Sequence, residues 1–190
     1  MARLTRRLVL AGGGVALAAV GVGGYLIKHR RPAPIGFDIS PEELARARAL
    51  LSRHLSIDAH AHPGRTFVDG AENLSGLVWL YAKLGTFEKR TIADMQAGGL
   101  TAAAFAAVSD FQTLGAAGES LTAVRNFDPG EAWISYQRQI GNIQALSDSG
   151  LVRPIKTLAD FQSAKASGKP GAFLTVEGGD FLEGKPERVA

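Results

Sequence analysis

The chain has 190 residues, of which 46% are hydrophobic and 21% charged, and it contains no cysteine. This balance is typical of a globular protein, and the lack of cysteine excludes a disulfide framework and cysteine-ligated zinc. The net charge of +3 comes from residues 1–31, which hold six of the 21 Lys and Arg residues and no acid. The mildly acidic remainder has no clustered basic face, so nucleic acid is not an expected partner.

Residues 1–31 are predicted to be an export signal or a membrane anchor. Residues 8–27 are uncharged and apolar, and about 20 such residues can span a bilayer. They follow a basic stretch in which Thr5-Arg6-Arg7-Leu8-Val9-Leu10 resembles a twin-arginine export signal. Lys28-His29-Arg30-Arg31 comes next, without a small-x-small cleavage site. The segment predicts a cell-envelope protein that is membrane-anchored, periplasmic or extracellular.

Residues 32–54 are predicted to be a linker and a leading helix. The prolines of residues 32–36 indicate the linker. Ser40-Pro41-Glu42-Glu43 has the cap, the first-turn proline and the glutamate that begin a helix, which is expected to run to about Arg53. His54 follows at the helix end, where a histidine cation is favourable, so a structural role is expected for it.

Residues 55–64 are predicted to form a short β-strand that ends in two histidines. Alternation along a strand would place Asp58, His60 and His62 on one face. Imidazoles two residues apart, about 7 Å along a strand, can bind one metal ion. Asp58 could orient a ligating ring, and Pro63 would end the strand. The alternative is a strand end with two surface histidines.

The later elements alternate between helix and strand. The first expected elements are a short helix at 77–81, a helix at 88–97 ended by two glycines, and a buried strand at 100–108. A helix opened by Asp128-Pro129-Gly130-Glu131 follows, with an apolar stripe of Trp133, Tyr136, Ile140 and Ile143. The last elements are a strand at 151–156, a helix at 157–166 capped by Thr157, and a strand at 172–176. This order indicates an α/β fold with a parallel sheet. In a barrel the carboxyl ends of the strands carry the chemistry, and His60, His62 and Glu177 lie at such ends.

Three segments together resemble the membrane (renal) dipeptidase family of zinc metallopeptidases. They are the histidine strand, Ala93-Asp94-Met95-Gln96-Ala97-Gly98-Gly99-Leu100, and Phe173-Leu174-Thr175-Val176-Glu177-Gly178-Gly179. Their order and intervals match that family from about Ser56 to the end of the chain. The stretch around Glu177 is the most specific part of the resemblance.

The resemblance implies a (β/α)8 TIM-type barrel of the metal-dependent hydrolase type. It also implies two zinc ions, with a water or hydroxide shared between them that hydrolyses dipeptides. His60 would then bind one ion and Glu177 would bridge both. The family usually has His-x-Asp where this chain has His60-Ala61-His62, but a histidine can also ligate zinc, so His62 is the third candidate ligand.

Two alternatives stay open on the same residues. The His-x-His pair favours another amidohydrolase-type hydrolase of amides, lactones or esters, and a non-catalytic envelope protein with the same barrel is the other. Residues 55–190 are fewer than the ~250 of a typical barrel, so they are expected to be its N-terminal part, about the first half. The family's later ligands, two histidines and an aspartate, have no counterpart, so this chain alone is expected to be inactive. A homo-oligomer is compatible with the sequence.

Overall fold

A computed structural model describes residues 37–74, 76–85, 87–117 and 120–189. The predicted export or anchor segment, with its apolar helix, lies outside these residues. Among the helices of the described ranges, none is long and apolar enough to cross a membrane. The elements from Pro41 onward, including the predicted leading helix, belong to one compact unit.

Five helices and six strands are described. The helices are α1 (Pro41–Arg53), α2 (Gly76–Lys83), α3 (Phe87–Ala97), α4 (Glu131–Asp148) and α5 (Leu158–Ser167). The strands are β1 (Ile57–Ala61), β2 (Ala102–Val108), β3 (Leu114–Ala117), β4 (Ser120–Ala123), β5 (Arg153–Pro154) and β6 (Gly171–Glu177). Short 3-10 turns occupy Phe111–Thr113, Asp180–Leu182 and Pro186–Val189.

Four parallel strands form the main sheet in the order β1-β2-β6-β5, which confirms the predicted α/β fold with a parallel sheet. Every residue of β2 is buried, so the alanine-rich run is a strand despite the helix propensity of alanine. Burial between two neighbouring strands outweighs propensity here. β3 and β4 form a separate antiparallel hairpin that was not predicted, because its small residues give no clear alternation.

The two faces of the sheet bury different apolar clusters. One cluster joins Ala103, Phe105 and Ala172 to side chains from α3 and α4, among them Ile92 and Ile143. The other cluster lies on the opposite face and joins Ala102 to Ile155 and, from α5, to Ala164 and Phe161. The second cluster involves only the amino-terminal end of β2. The carboxyl end of that face is where the candidate site lies.

Two predicted helix starts are confirmed by the structure. α1 begins at Pro41, although none of its residues is buried, and the Lys165 ammonium donates to the carbonyl oxygen of Leu51 near its end. α5 has a complete capping box: Thr157 Oγ1 accepts from the Asp160 N–H, and the Asp160 carboxylate accepts from the Thr157 N–H at 2.9 Å. Local capping chemistry therefore predicted the starts of α1 and α5 correctly.

The predicted start of α4 was wrong by two residues. Gly130, not Asp128, is the N-cap residue, and no side chain caps the helix. The Glu131 carboxylate instead accepts from the Asp128 N–H at 3.0 Å and from both terminal nitrogens of Arg125 at 2.5 and 2.6 Å. Hydrogen bonding from Arg125 holds the pKa of Glu131 below its usual range.

The predicted apolar stripe of α4 was wrong in part. Its buried residues are Ala132, Ser135, Gln139, Ile143 and Leu146, so Ile143 is the one stripe member that is fully buried. Trp133 and Tyr136 are half-buried at the edge, where they stack on each other and Tyr136 stacks on Phe181. The inward face of α4 therefore carries two polar residues, Ser135 and Gln139, among three apolar ones, and no aromatic residue.

Candidate metal centre

His60, His62 and Glu177 converge at the carboxyl ends of β1 and β6. Oε2 of Glu177 lies 3.3 Å from Nε2 of His60 and 3.3 Å from Nε2 of His62. The three ligand atoms lie within 4.8 Å of one another, and the two imidazole rings meet at 89°. The structure thus brings together all three residues that the sequence singled out, although Glu177 lies more than a hundred positions after the two histidines.

A bulge in β1 turns the two histidines onto the face of the sheet that carries Glu177. Asp58 lies opposite Ala103 and Ala61 lies opposite Phe105, so β1 has one more residue than β2 over this interval. An extra residue reverses the alternation of faces. Asp58 therefore lies on the face of Ala61, away from both histidines. The prediction that Asp58 shares their face was wrong.

The expected role of Asp58 changes with its position. Its Oδ1 accepts from the backbone N–H of His60 at 3.0 Å, which is a short-range turn contact. The residue shapes the bulge instead of orienting an imidazole ring. Alternation alone could not have shown this, since the sequence carries no explicit mark of a bulge.

The ring of His62 is oriented by a backbone carbonyl. Its Nδ1 lies 3.3 Å from the carbonyl oxygen of Ala106 in β2. A carbonyl only accepts, so this contact is a hydrogen bond in the tautomer protonated at Nδ1, and that neutral tautomer turns the lone pair of Nε2 towards Glu177. Phe67 contacts the same ring edge-on at 5.8 Å and packs on Phe111 at 4.8 Å. The side chain of His62 is 30% exposed and that of His60 55%.

Glu177 is held through its backbone at the end of β6. Its carbonyl oxygen accepts from the Ser109 N–H at 3.0 Å and from Ser109 Oγ at 2.8 Å. The chain then turns at Gly178, whose φ of +88° favours glycine. A Cβ at Gly178 would lie 2.1 Å from Ser109 Oγ, so a side chain would break this arrangement.

The loop after the histidine strand is fixed by a largely buried ion pair. Nε and the backbone N–H of Arg65 donate to Glu88 Oε1 at 3.0 and 2.9 Å, and both side chains are 14% exposed. The Tyr81 hydroxyl donates to the carbonyl oxygen of Gly64 at 2.5 Å. Burial, helped by the Glu88 carboxylate, raises the pKa of Tyr81. These contacts place Phe67 against the ring of His62.

The donor set and the distances from Glu177 to the two histidines fit a metal ion. Two imidazole nitrogens and one carboxylate oxygen form the His2Glu set of many catalytic zinc sites, which leave a fourth position open. Ligand atoms ~2.0–2.1 Å from one tetrahedral ion lie about 3.3 Å apart. That spacing equals the two His–Glu177 distances. Two lone pairs facing each other at this distance would repel without a cation or a proton between them.

Sequence reasoning missed the residues that hold the ligands, namely Ser109 and the carbonyl of Ala106. Ser109 directly follows a buried strand, and the glycine pair after Glu177 marks a sharp turn, so these two signals could have suggested a contact. The contact of His62 with a backbone carbonyl carries no sequence signal.

No protein-family model matches this sequence, and no curated protein matches it either. A function therefore has to be inferred from the residues of the site.

Proposed function

We propose that this chain carries the metal-binding part of a zinc-dependent hydrolase that cleaves dipeptides or similar small amides. The observation that supports it is the convergence of His60, His62 and Glu177 at the carboxyl ends of parallel strands. Catalytic residues collect at these strand ends in parallel α/β enzymes. Bound there, zinc would polarise a substrate carbonyl and supply a nucleophile from water at neutral pH.

The residues have separate parts in this proposal. His60 and His62 would each offer Nε2, while Oε2 of Glu177 would complete the set for one ion. Oε1 of Glu177 takes no part in the two histidine contacts, so the carboxylate can bridge to a second zinc ion, as the dipeptidase resemblance implies. The exposure of His60 leaves the centre open to a substrate.

Closure of the sheet into a (β/α)8 barrel belongs to the same proposal. β1, β2 and β6 lie side by side in the order in which they follow along the chain, although β3, β4 and β5 come between β2 and β6, and helices α3 and α4 cover one face. β5 pairs with only Gly171 and Ala172 of β6. The rest of that edge, from Phe173 to Glu177, is long enough to accept a further parallel strand.

One observation favours a second candidate, a metal hydrolase that acts on lactones, esters or other amides. His62 replaces the aspartate of the dipeptidase motif, and its ring points at Glu177 instead of away from the centre. Amidohydrolases outside the dipeptidases commonly have such a His-x-His pair. Hydrolysis assays with dipeptide, lactone and ester substrates, run on the same zinc-loaded sample, separate the two.

Metal analysis of the purified full chain tests the proposal before any substrate is chosen. We expect zinc to bind, and His60→Ala or Glu177→Gln to remove most of it. His54→Ala is the matched control, because His54 is an exposed histidine just beyond α1 and outside the site. Equal zinc in all four proteins would exclude these ligands. A wild-type chain without zinc would leave a plain imidazole–carboxylate ion pair as the explanation of the cluster.

A further inference from the structure

The edge of β2 that faces β1 loses its strand partner before the strand ends. At the start of β2 the Ala102 N–H donates to the carbonyl oxygen of Ser56, and the last paired residues are Ala61 and Phe105. Beyond that point the even-numbered residues of β2 still point their backbone groups at this edge. Unpaired buried backbone groups are costly, so other groups must replace the missing ladder.

Side chains take the place of the missing hydrogen bonds from β1. The carbonyl oxygen of Ala106 contacts the ring of His62. Two residues on, Gln139 Oε1 accepts from the Val108 N–H at 2.8 Å, and Gln139 Nε2 donates to the Val108 carbonyl oxygen at 2.6 Å. One amide thus pairs with Val108 as a neighbouring strand would. The opposite edge stays in the sheet, where Ser109 bonds to Glu177.

Gln139 is an unusual choice for this position. It is 1% exposed, on a helix face that also buries Ala132, Ile143 and Leu146. A buried amide destabilises a protein unless its hydrogen bonds are made, and here Ser135 Oγ accepts one more from Nε2 at 3.2 Å. The amide therefore fixes the end of β2 relative to α4 in one geometry.

Neighbouring polar residues of α4 hold the loop on the histidine side. Arg138 donates to the carbonyl oxygens of Asp69 and Phe67 at 2.6 and 3.2 Å. Asn142 donates to that of Asp69 at 2.9 Å. Because Phe67 packs on His62 and Val108 is the strand partner of Glu177, one helix contacts residues beside both His62 and Glu177.

We propose that Gln139 is a positioning residue for the metal centre. By pairing with Val108 it fixes the end of β2, and so sets the distance between the His62 ring, which Ala106 orients, and Glu177, which Ser109 holds. The inference rests on the metal centre proposed above. Groups that orient metal ligands typically change metal affinity by 10–100-fold when they are replaced, although they never touch the ion.

The test compares Gln139→Met with two control variants in the full chain, using Zn2+ for affinity and Co2+ for its visible absorption spectrum. Methionine keeps the length of the side chain but cannot pair with both Val108 groups. Leu146→Ala is the stability control, since it leaves a cavity in the same helix–sheet core without touching Val108. Gln144→Leu controls for an exposed glutamine on the same helix.

We expect Gln139→Met to weaken Zn2+ binding at least tenfold and to shift the Co2+ spectrum. Leu146→Ala and Gln144→Leu should keep the affinity within about twofold, with the wild-type spectrum, at a temperature where all proteins are folded. Should Gln139→Met not fold, Gln139→Asn gives the same test, because its amide is one methylene too short to reach both groups.

Two results would overturn the inference, and they are distinguishable. Wild-type affinity and spectrum in the Gln139 variant would refute its positioning role while the metal centre stands. Absence of Zn2+ and Co2+ binding by the wild-type chain would refute the centre itself, and the role of Gln139 with it.

Discussion

Replacing Gly178 by alanine tests how Glu177 is held. The left-handed backbone at φ +88° costs a non-glycine residue about 1–2 kcal/mol. The new Cβ would lie 2.1 Å from Ser109 Oγ, and relieving such an overlap costs about 1–3 kcal/mol more. We therefore expect Gly178→Ala to lower the free energy of unfolding by about 2–5 kcal/mol.

A double-mutant cycle with Ser109→Ala separates the two contributions. Ser109→Ala removes one hydrogen bond to Glu177, worth about 1 kcal/mol, and also removes the atom that the alanine Cβ would meet. The double variant should then be more stable than the sum of the single effects by about 1–3 kcal/mol. Gly130→Ala, at a similar φ of +85° with nothing within 4 Å, should show the backbone contribution alone.

Urea unfolding followed by tryptophan fluorescence gives the free energies of unfolding of the wild type and the four variants at neutral pH. Additive effects of Gly178→Ala and Ser109→Ala, or a loss for Gly178→Ala no larger than for Gly130→Ala, would refute the close packing of Ser109 on Gly178. Zinc affinity measured on the same samples should fall with Gly178→Ala and stay near wild type with Gly130→Ala.

Two further predictions concern stability. Glu88→Gln should lower the free energy of unfolding by about 3–5 kcal/mol, because it leaves Arg65 largely buried without its carboxylate partner. Asp94→Asn, in an exposed ion pair, should lower it by less than about 1 kcal/mol. Equal losses in the two variants would contradict this prediction. Hydrogen bonding from Thr157 holds the pKa of Asp160 below its usual value, so this contribution to stability is present above about pH 4 and is lost as the pH falls through the lower folded-state pKa. The free energy of unfolding of Thr157→Val should therefore fall less between pH 7 and pH 3 than that of the wild type. An equal fall in both proteins, measured by urea unfolding, would refute this prediction.

The local secondary structure and the identity of the site residues could be predicted from the sequence. Caps at Pro41 and Thr157, the buried run of β2 and the two histidines all follow from patterns within a few residues. Parallel order then brings the carboxyl ends of β1 and β6 to one edge. That geometric rule made Glu177 a candidate partner of residues far away in the chain.

What could not be predicted depends on contacts between distant segments. The bulge that moves Asp58 to the other face appears only when β1 is matched residue by residue with β2. Gln139 lies in a helix whose aromatic residues suggested the wrong inward face. Its side chain is buried because its hydrogen bonds to Val108 offset the cost of burying a polar amide. Residues that support a site through backbone groups have no short sequence signature.

The most direct test of the metal centre is a crystal structure of the zinc-loaded full chain with anomalous data at the zinc absorption edge. We predict an anomalous peak about 2.0–2.2 Å from Nε2 of His60, Nε2 of His62 and Oε2 of Glu177. Data from a crystal prepared without zinc and soaked in Mg2+ provide the control for the identity of the peak. Zinc bound elsewhere, with no peak between these three side chains, would contradict the account.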